Sequence, residues 1–266
     1  MSTVLIAVTS ITIIGAACAA ILSVASKMMH VDVDERIAKI QDALPGTNCG
    51  ACGFPGCAGY ASALIEEQGT KTNLCPPGGA EAVAQISEIL GVEAEAVVSV
   101  TAVVHCAGDS DAQKKKMKYH GVPSCYAAEK VFGGESACAY GCLGYGDCLV
   151  VCPSDAICMV NGLAKINMLL CTGCALCVGA CPRNIITMQS SSSKTHVVCS
   201  NIEKGAVARK KCARACLACK RCIKDCEPQA IKVENNLAVI EYDKCTDCGK
   251  CAEVCPVKCI EKYASN

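Results

Sequence analysis

Tryptophan is absent from this 266-residue chain, phenylalanine occurs twice and tyrosine seven times, so aromatic residues amount to 3%. Aromatic side chains supply much of the buried area in ordinary cores, and without them one conventional hydrophobic domain of this length is excluded. Nine prolines and 22 glycines without a period rule out a collagen-like chain, and a hydrophobic content of 52% rules out a disordered one. A charge excess is missing too, with 25 basic residues against 25 acidic. That balance hides an asymmetry: residues 27–105 carry 4 Lys/Arg against 10 Asp/Glu, and residues from Cys106 onward carry 21 against 15. A nucleic-acid binder pairs a dominating basic stripe with aromatic platforms. Neither is here, so no nucleic-acid partner is expected.

Nucleotide signatures are also lacking. No Walker loop occurs, and no G-x-G-x-x-G follows a strand and opens a helix. Gly144-Tyr145-Gly146 lies between cysteines and reads as a source of N–H donors to sulfur. Neither flavin nor nucleotide is therefore expected on this chain. His30, His105, His120 and His196 are scattered, and no nucleophile stands beside a recognisable base, so no catalytic residue is assigned.

What the chain has is cysteine: 27 residues, about 10% of the sequence. Something other than apolar packing must hold the polypeptide together, and thiolates bound to metal clusters or to one another are the abundant candidates.

Residues Thr3 to Ser26 hold 17 apolar positions in 24 and no charge, enough at about 1.5 Å per residue to cross a bilayer core of about 30 Å. The stretch predicts a single transmembrane helix, with the lipid bilayer as a partner through residues 3–26. A cleaved signal peptide is the alternative, weakened by the missing positive n-region. Lys27, Arg36 and Lys39 follow the apolar run and nothing basic precedes it, so the positive-inside rule puts the rest of the chain on the cytoplasmic side of the cell membrane. Thiols there stay reduced, which turns the cysteines away from disulfides and toward metal.

Cys49, Cys52 and Cys57 fall within nine residues among several glycines, and Cys75-Pro76 follows. Such a loop can wrap a compact inorganic centre and offer backbone N–H groups to its sulfides, and four thiols suit one [4Fe-4S] cluster; zinc is the competing occupant. Two later runs, Cys171-x2-Cys174-x2-Cys177-x3-Cys181-Pro182 and Cys245-x2-Cys248-x2-Cys251-x3-Cys255-Pro256, match the bacterial ferredoxin pattern. Each has a partner upstream: the stretched run Cys138-x3-Cys142-x5-Cys148-x3-Cys152, and Cys216-x2-Cys219-x2-Cys222-x3-Cys226. In such pairs the fourth cysteine of each run ligates the other cluster. The expected sets are therefore Cys138, Cys142, Cys148 with Cys181; Cys171, Cys174, Cys177 with Cys152; Cys216, Cys219, Cys222 with Cys255; and Cys245, Cys248, Cys251 with Cys226. With the first four-cysteine loop this makes five [4Fe-4S] clusters.

The intervening sequence supports two small α+β ferredoxin-like domains. Apolar pairs follow each fourth cysteine (Ala156-Ile157, Ile185-Ile186, Ala230-Ile231, Cys259-Ile260), and the segments around Asn161-Gly162 and Asn235-Asn236 read as hairpins. Residues 189–193 mark a break between the domains. The segment from Glu81 to Val104 starts as a packing helix for the first cluster domain. Lys114-Lys115-Lys116 reads as a solvated face, with a docking patch for an acidic partner as the alternative. Arg209-Lys210-Lys211 and Lys220-Arg221 lie where they would stabilise an added electron.

Seven cysteines remain. Cys18 and Cys158 read as small hydrophobes, and Cys259 is left without a role. Cys106, Cys125, Cys199 and Cys212 flank the first ferredoxin domain on both sides, which would permit a sixth cluster or a group of reduced thiols, and Cys212 could also stand in for Cys216.

An N-terminal apolar helix, then CGACGFPGC with a fourth cysteine about 18 residues on, then ferredoxin runs, resembles the B subunit of Rnf complexes, the membrane-bound ferredoxin:NAD oxidoreductases that pump sodium ions or protons. The resemblance covers essentially the whole chain, in a long form with two ferredoxin pairs; the stretched first run departs from the pattern and leaves the Cys138 set open. It implies a membrane-anchored electron-transfer subunit without a substrate-converting site of its own. Such a subunit accepts electrons from soluble ferredoxin and passes them to the flavin-, NAD- and ion-handling subunits of the translocase. The alternative is a polyferredoxin-like subunit serving another anaerobic enzyme, such as a corrinoid reductase, because the first motif is also similar to that of corrinoid iron-sulfur proteins. The expected architecture is an anchor at 1–27, a four-cysteine domain at 28–105, a linker at 106–134, a first ferredoxin-like domain at 135–189, a linker at 190–207 and a second ferredoxin-like domain at 208–266.

Overall fold

A computed structural model describes residues 2–28, 34–67, 69–97 and 99–263; His30 lies outside these. Helix α1 (Ser2–Met28) forms over the N-terminal apolar stretch. The expected transmembrane anchor is nevertheless overturned, because among the described residues no helix is long and apolar enough to cross a membrane. Residues 3–26 thus lose their assignment as the lipid contact, and the basic flank at Lys27 lies outside the described side chains.

Three helices follow: α2 (Glu35–Ala43), α3 (Gly56–Glu66) and α4 (Gly79–Leu90). The Asp34 carboxylate opens α2 by accepting the Arg36 amide at 2.9 Å, and Gly91 closes α4 in the left-handed conformation (φ 68°) that glycine adopts without strain. Ile40, Leu44, Tyr60, Leu64 and Ile86 are buried together with Cys57 and Cys75, so the helices and a pair of thiols share one small core.

The rest of the described chain is α+β and built twice. The first unit comprises β1 (Val100–Val104), α5 (Cys125–Lys130), α6 (Asp147–Val150), β2 (Ile157–Val160), β3 (Leu163–Ile166), α7 (Leu176–Ala180) and β4 (Ile186–Ser190). The second comprises β5 (Thr195–Val197), α8 (Gly205–Lys211), α9 (Arg221–Lys224), β6 (Ile231–Glu234), β7 (Leu237–Ile240), α10 (Lys250–Glu253) and β8 (Ile260–Lys262). Each unit has two antiparallel pairs: β2 with β3 and β1 with β4, then β6 with β7 and β5 with β8. The closing strands β1 and β5 precede residues 135 and 208, so each unit recruits a strand from sequence that motif spacing alone leaves outside it.

Local chemistry sets these elements. Asn161 and Gly162 (φ 47° and 72°) and Asn235 and Asn236 (φ 46° and 61°) supply the two positive φ angles of a type I′ hairpin turn. The apolar pairs after the fourth cysteines are all buried, and their second members Ile157, Ile186, Ile231 and Ile260 begin β2, β4, β6 and β8. Those pairs, with the cysteines, are most of each core: Cys106, Cys148 and Cys177 among ten buried residues in the first unit, Cys216, Cys222, Cys251 and Cys259 among ten in the second. The segment after Glu81 is helical only to Leu90 and ends in strand β1.

Two buried histidines tie the chain together. His105 Nδ1–H donates to the Val197 carbonyl at 2.7 Å and Nε2 accepts from the Thr187 hydroxyl at 2.7 Å, linking the two units; the carbonyl, which can only accept, fixes the tautomer. His196 Nε2–H donates to the Ser193 carbonyl and Nδ1 accepts from Tyr242. Burial holds both imidazoles below their ordinary pKa of 6.5. A depressed folded-state pKa gives stability that is present above the unfolded-state value and is lost as pH falls from about 6.5 toward the folded value. The thermal midpoint should therefore drop on acidification below about pH 6.5. In His105→Gln the drop should be smaller; an identical pH slope in variant and parent would rule His105 out.

Candidate metal centres

The N-terminal set is built on the α2–α4 core. Asn48, itself at φ 49°, turns its side-chain oxygen to the Cys57 amide at 2.8 Å. Gly56 (φ 88°) lies so close to that oxygen that a Cβ would stand 2.7 Å from it. Tyr60 donates to the Lys71 carbonyl at 2.7 Å and accepts from the Leu74 amide at 3.3 Å, pinning the segment that ends in Cys75 against α3. Burial pushes the Cys75 thiol up, and Cys52, Cys57 and Cys49 lie near enough to add to the effect.

In the two ferredoxin-like units the chain crosses between sites. Cys177 neighbours Cys171, Cys174 and Cys152. Cys222 neighbours Cys216, Cys219 and Cys255, and all four line one pocket. Cys251 neighbours Cys245, Cys248 and Cys226. The remaining site differs from the expected one: the residues lining one pocket include Cys142, Cys148 and Cys181 with Cys125, and Cys138 is elsewhere. Asp147 explains how Cys125 arrives there. Its carboxylate accepts the amides of Cys125 at 2.9 Å and Tyr126 at 3.0 Å and the Ser124 hydroxyl at 2.9 Å, fastening the start of α5 next to Cys148. Burial works against the Asp147 charge, yet those donors hold its carboxyl below the ordinary range.

The sequence signal for Cys125 is a repeat that motif spacing conceals. Cys142, Cys148, Cys152, Cys171, Cys174, Cys177 and Cys181 each recur 74 residues later, as Cys216, Cys222, Cys226, Cys245, Cys248, Cys251 and Cys255. Among the cysteines of the four runs from Cys142 onward, Cys219 alone lacks its counterpart, for Tyr145 stands in that position. The first unit supplies the missing thiol from the longer stretch between Cys106 and Cys138, which carries α5. Cys138 instead sits beside Asn201, Cys199 and Cys212.

Burial pushes the Cys148 thiol up to about 12 and Cys177, Cys222 and Cys251 up to about 11. Without a cation these thiols are neutral at pH 7, so loading a centre must displace their protons. Cys255 goes the other way, to about 5, because the buried Cys259 thiol lies 3.6 Å from its sulfur and donates its one proton to it. Cys158 is exposed on β2 and Cys18 exposed on α1. Among the described residues no three His, Cys, Asp or Glu side chains close around a single ion. Tetrahedral zinc at about 2.3 Å from each sulfur would draw its thiolates to within about 3.8 Å of one another. The wider sets here leave room between the thiols, and all-sulfur donors with backbone N–H groups around them suit a polynuclear iron-sulfur centre.

Paired four-thiol sites threaded through two hairpin units define a ferredoxin-type iron-sulfur protein. Family models agree: residues 44–77 match the FeS family of Fe-S cluster proteins, and residues 164–187 and 238–261 match the 4Fe-4S binding domain. The chain is 40% identical to the B subunit of the Na(+)-translocating ferredoxin:NAD(+) oxidoreductase complex of Acetobacterium woodii, over 90% of this chain and 72% of that protein. It is 39% identical to the B subunit of the ion-translocating oxidoreductase complex of Methanosarcina acetivorans, over 98% and 99% of the two chains. With the B subunit of the proton-translocating ferredoxin:NAD(+) oxidoreductase complex of Clostridium ljungdahlii it shares 38% identity over 100% and 94%. The chain belongs to this family, the B subunits of Rnf-type ion-translocating oxidoreductase complexes. It is an iron-sulfur electron-transfer subunit, and other subunits of such a complex are its partners.

Proposed function

We propose that this subunit takes electrons from reduced ferredoxin and relays them singly toward the subunits that reduce NAD and move Na+ or H+. Five [4Fe-4S] clusters supply one-electron storage when bound. The proposed ligands are Cys49, Cys52, Cys57 and Cys75; Cys125, Cys142, Cys148 and Cys181; Cys152, Cys171, Cys174 and Cys177; Cys216, Cys219, Cys222 and Cys255; Cys226, Cys245, Cys248 and Cys251. The observation that carries the reading is the crossing of the fourth cysteines between paired sites, which brings two centres close within each unit.

The chain's own residues hold thiolates, exclude water and present charge. Cys219 is exposed, and Arg209, Lys210, Lys220 and Arg221 are exposed around the start and end of that segment. A basic surface beside an accessible centre favours an acidic ferredoxin as electron donor there. Lys115 pairs with Glu135 at 2.6 Å and Lys116 with the Phe132 carbonyl at 2.6 Å, which leaves the 114–116 run a weaker docking surface. The N-terminal set then faces the partner subunits, and membrane association, with the cluster units on the cytoplasmic side, comes through those subunits.

Cys52→Ala separates entry from exit. In the assembled complex, reduced ferredoxin should still generate the EPR signals of the ferredoxin-like units, while NAD reduction falls to background. Unchanged NAD reduction would reject the proposed order.

A further inference from the structure

Four cysteines outside the five sets converge on one place. Cys106, Cys138, Cys199 and Cys212 come from separate segments and line a single pocket, as the thiols of two of the sets described above do. Each thiol is near the next: Cys106 to Cys212, Cys212 to Cys138, Cys138 to Cys199.

Their arrangement has an internal two-fold logic. Cys106 stands two residues beyond the end of β1, and Cys199 two residues beyond the end of β5. Cys138 stands four residues before Cys142, and Cys212 four residues before Cys216. The Cys142 amide donates to Cys106 Sγ at 3.3 Å and the Cys216 amide donates to Cys199 Sγ at 3.4 Å, the same contact in both units. Each unit therefore contributes two thiols at equivalent positions to the boundary between them. Backbone bonds from the Lys114 amide to the Lys211 carbonyl (2.8 Å) and from the Ala213 amide to the Ala112 carbonyl (2.9 Å) sew that boundary shut.

The surroundings are those of an anionic sulfur centre. Asn201, 1% exposed, donates its side-chain amide to Cys138 Sγ at 3.3 Å. Arg214 lines the same pocket, and its Nε–H is buried with no acceptor among the described residues. An orphaned buried donor beside four thiols is costly unless something negative occupies the space between them.

We infer that Cys106, Cys138, Cys199 and Cys212 hold a sixth [4Fe-4S] cluster, shared by the two ferredoxin-like units. The inference rests on the reading of the other five sets as cluster ligands. The site touches a ligand segment of each unit, Cys142 on one side and Cys216 on the other, and so offers one electron a path between units. Reduction of one centre is balanced by oxidation of its neighbour, with no bond made or broken.

Iron and acid-labile sulfide counted on the reconstituted full chain decide the matter. Six sites give about 24 of each per chain and five give about 20. The parent should hold about 24, the double variant Cys106→Ser/Cys212→Ser about 20, and Cys158→Ser, altered on exposed β2, should stay at the parental value. Asn201→Leu should keep the full count yet lower the midpoint potential of one cluster, since an N–H donor to sulfur favours the reduced state. That arm stands even where the double variant fails to fold. A parent with about 20 irons and four alkylatable buried thiols, or with one zinc beside 20 irons, overturns the sixth site and leaves the five-cluster reading intact. A colourless chain defeats that reading itself.

Discussion

Removing iron from the purified protein should unfold residues 100–263 almost completely. Each ferredoxin-like unit has a core of ten buried residues, of which three or four are cysteine, and further half-buried cysteines pack around it. Take away the centre, and the thiols surround empty space with no large side chain to fall in, since neither unit has a Trp or a Phe in its core. Such a void costs on the order of kilocalories per side chain, and structural metal sites contribute about 10 kcal/mol or more to folding in small domains. The strands are three to five residues long and paired only in twos, too little sheet to persist alone. The helical unit around Ile40, Tyr60, Leu64 and Ile86 has more carbon in its core and should retain part of its helix. Hydrogen exchange of the iron-free chain checks this by segment. Protection persisting in the hairpins 157–166 and 231–240 would show that the units fold on their side chains alone.

Cys125→Ser should remove one complete centre, about four irons per chain, and with it one EPR-active species. The expected loss is large because Cys142, Cys148 and Cys181 lie in a buried pocket where a three-thiolate cluster would be open to loss at its fourth iron. Asp147→Ala should reproduce part of that loss without touching a thiol: it strips three hydrogen bonds from the start of α5, a helix cap worth about 1–2 kcal/mol. Asp147→Asn, which keeps one acceptor oxygen, should fall between. Iron counts and EPR spin quantitation on the three variants test the sequence; a Cys125→Ser chain with the parental iron content would return the site to another ligand.

The sequence alone determined the chemistry of this protein. Thiol spacing in the runs ending at Cys181, Cys226 and Cys255 reflects the short reach of a chain wrapped around a compact centre, so it shows locally. The hairpin turns at Asn161-Gly162 and Asn235-Asn236 are local for the same reason, since the two turn residues set the φ angles themselves. Tertiary structure decided what depends on distant segments. The stretched run beginning at Cys138 reads as one site because its cysteines are neighbours in sequence. In the fold, Cys125 reaches Cys148 through Asp147 and replaces the thiol missing at Tyr145, while Cys138 turns to the boundary between the units. The closing strands β1 and β5 are likewise invisible to spacing, because their hydrogen-bond partners β4 and β8 lie 60 or more residues away. At the N-terminus, composition suggests a membrane span, but crossing a bilayer requires continuous apolar length, and among the described residues no helix supplies it. Ligand type is written in residue identity; ligand grouping is a property of three-dimensional proximity, which only the packed chain specifies.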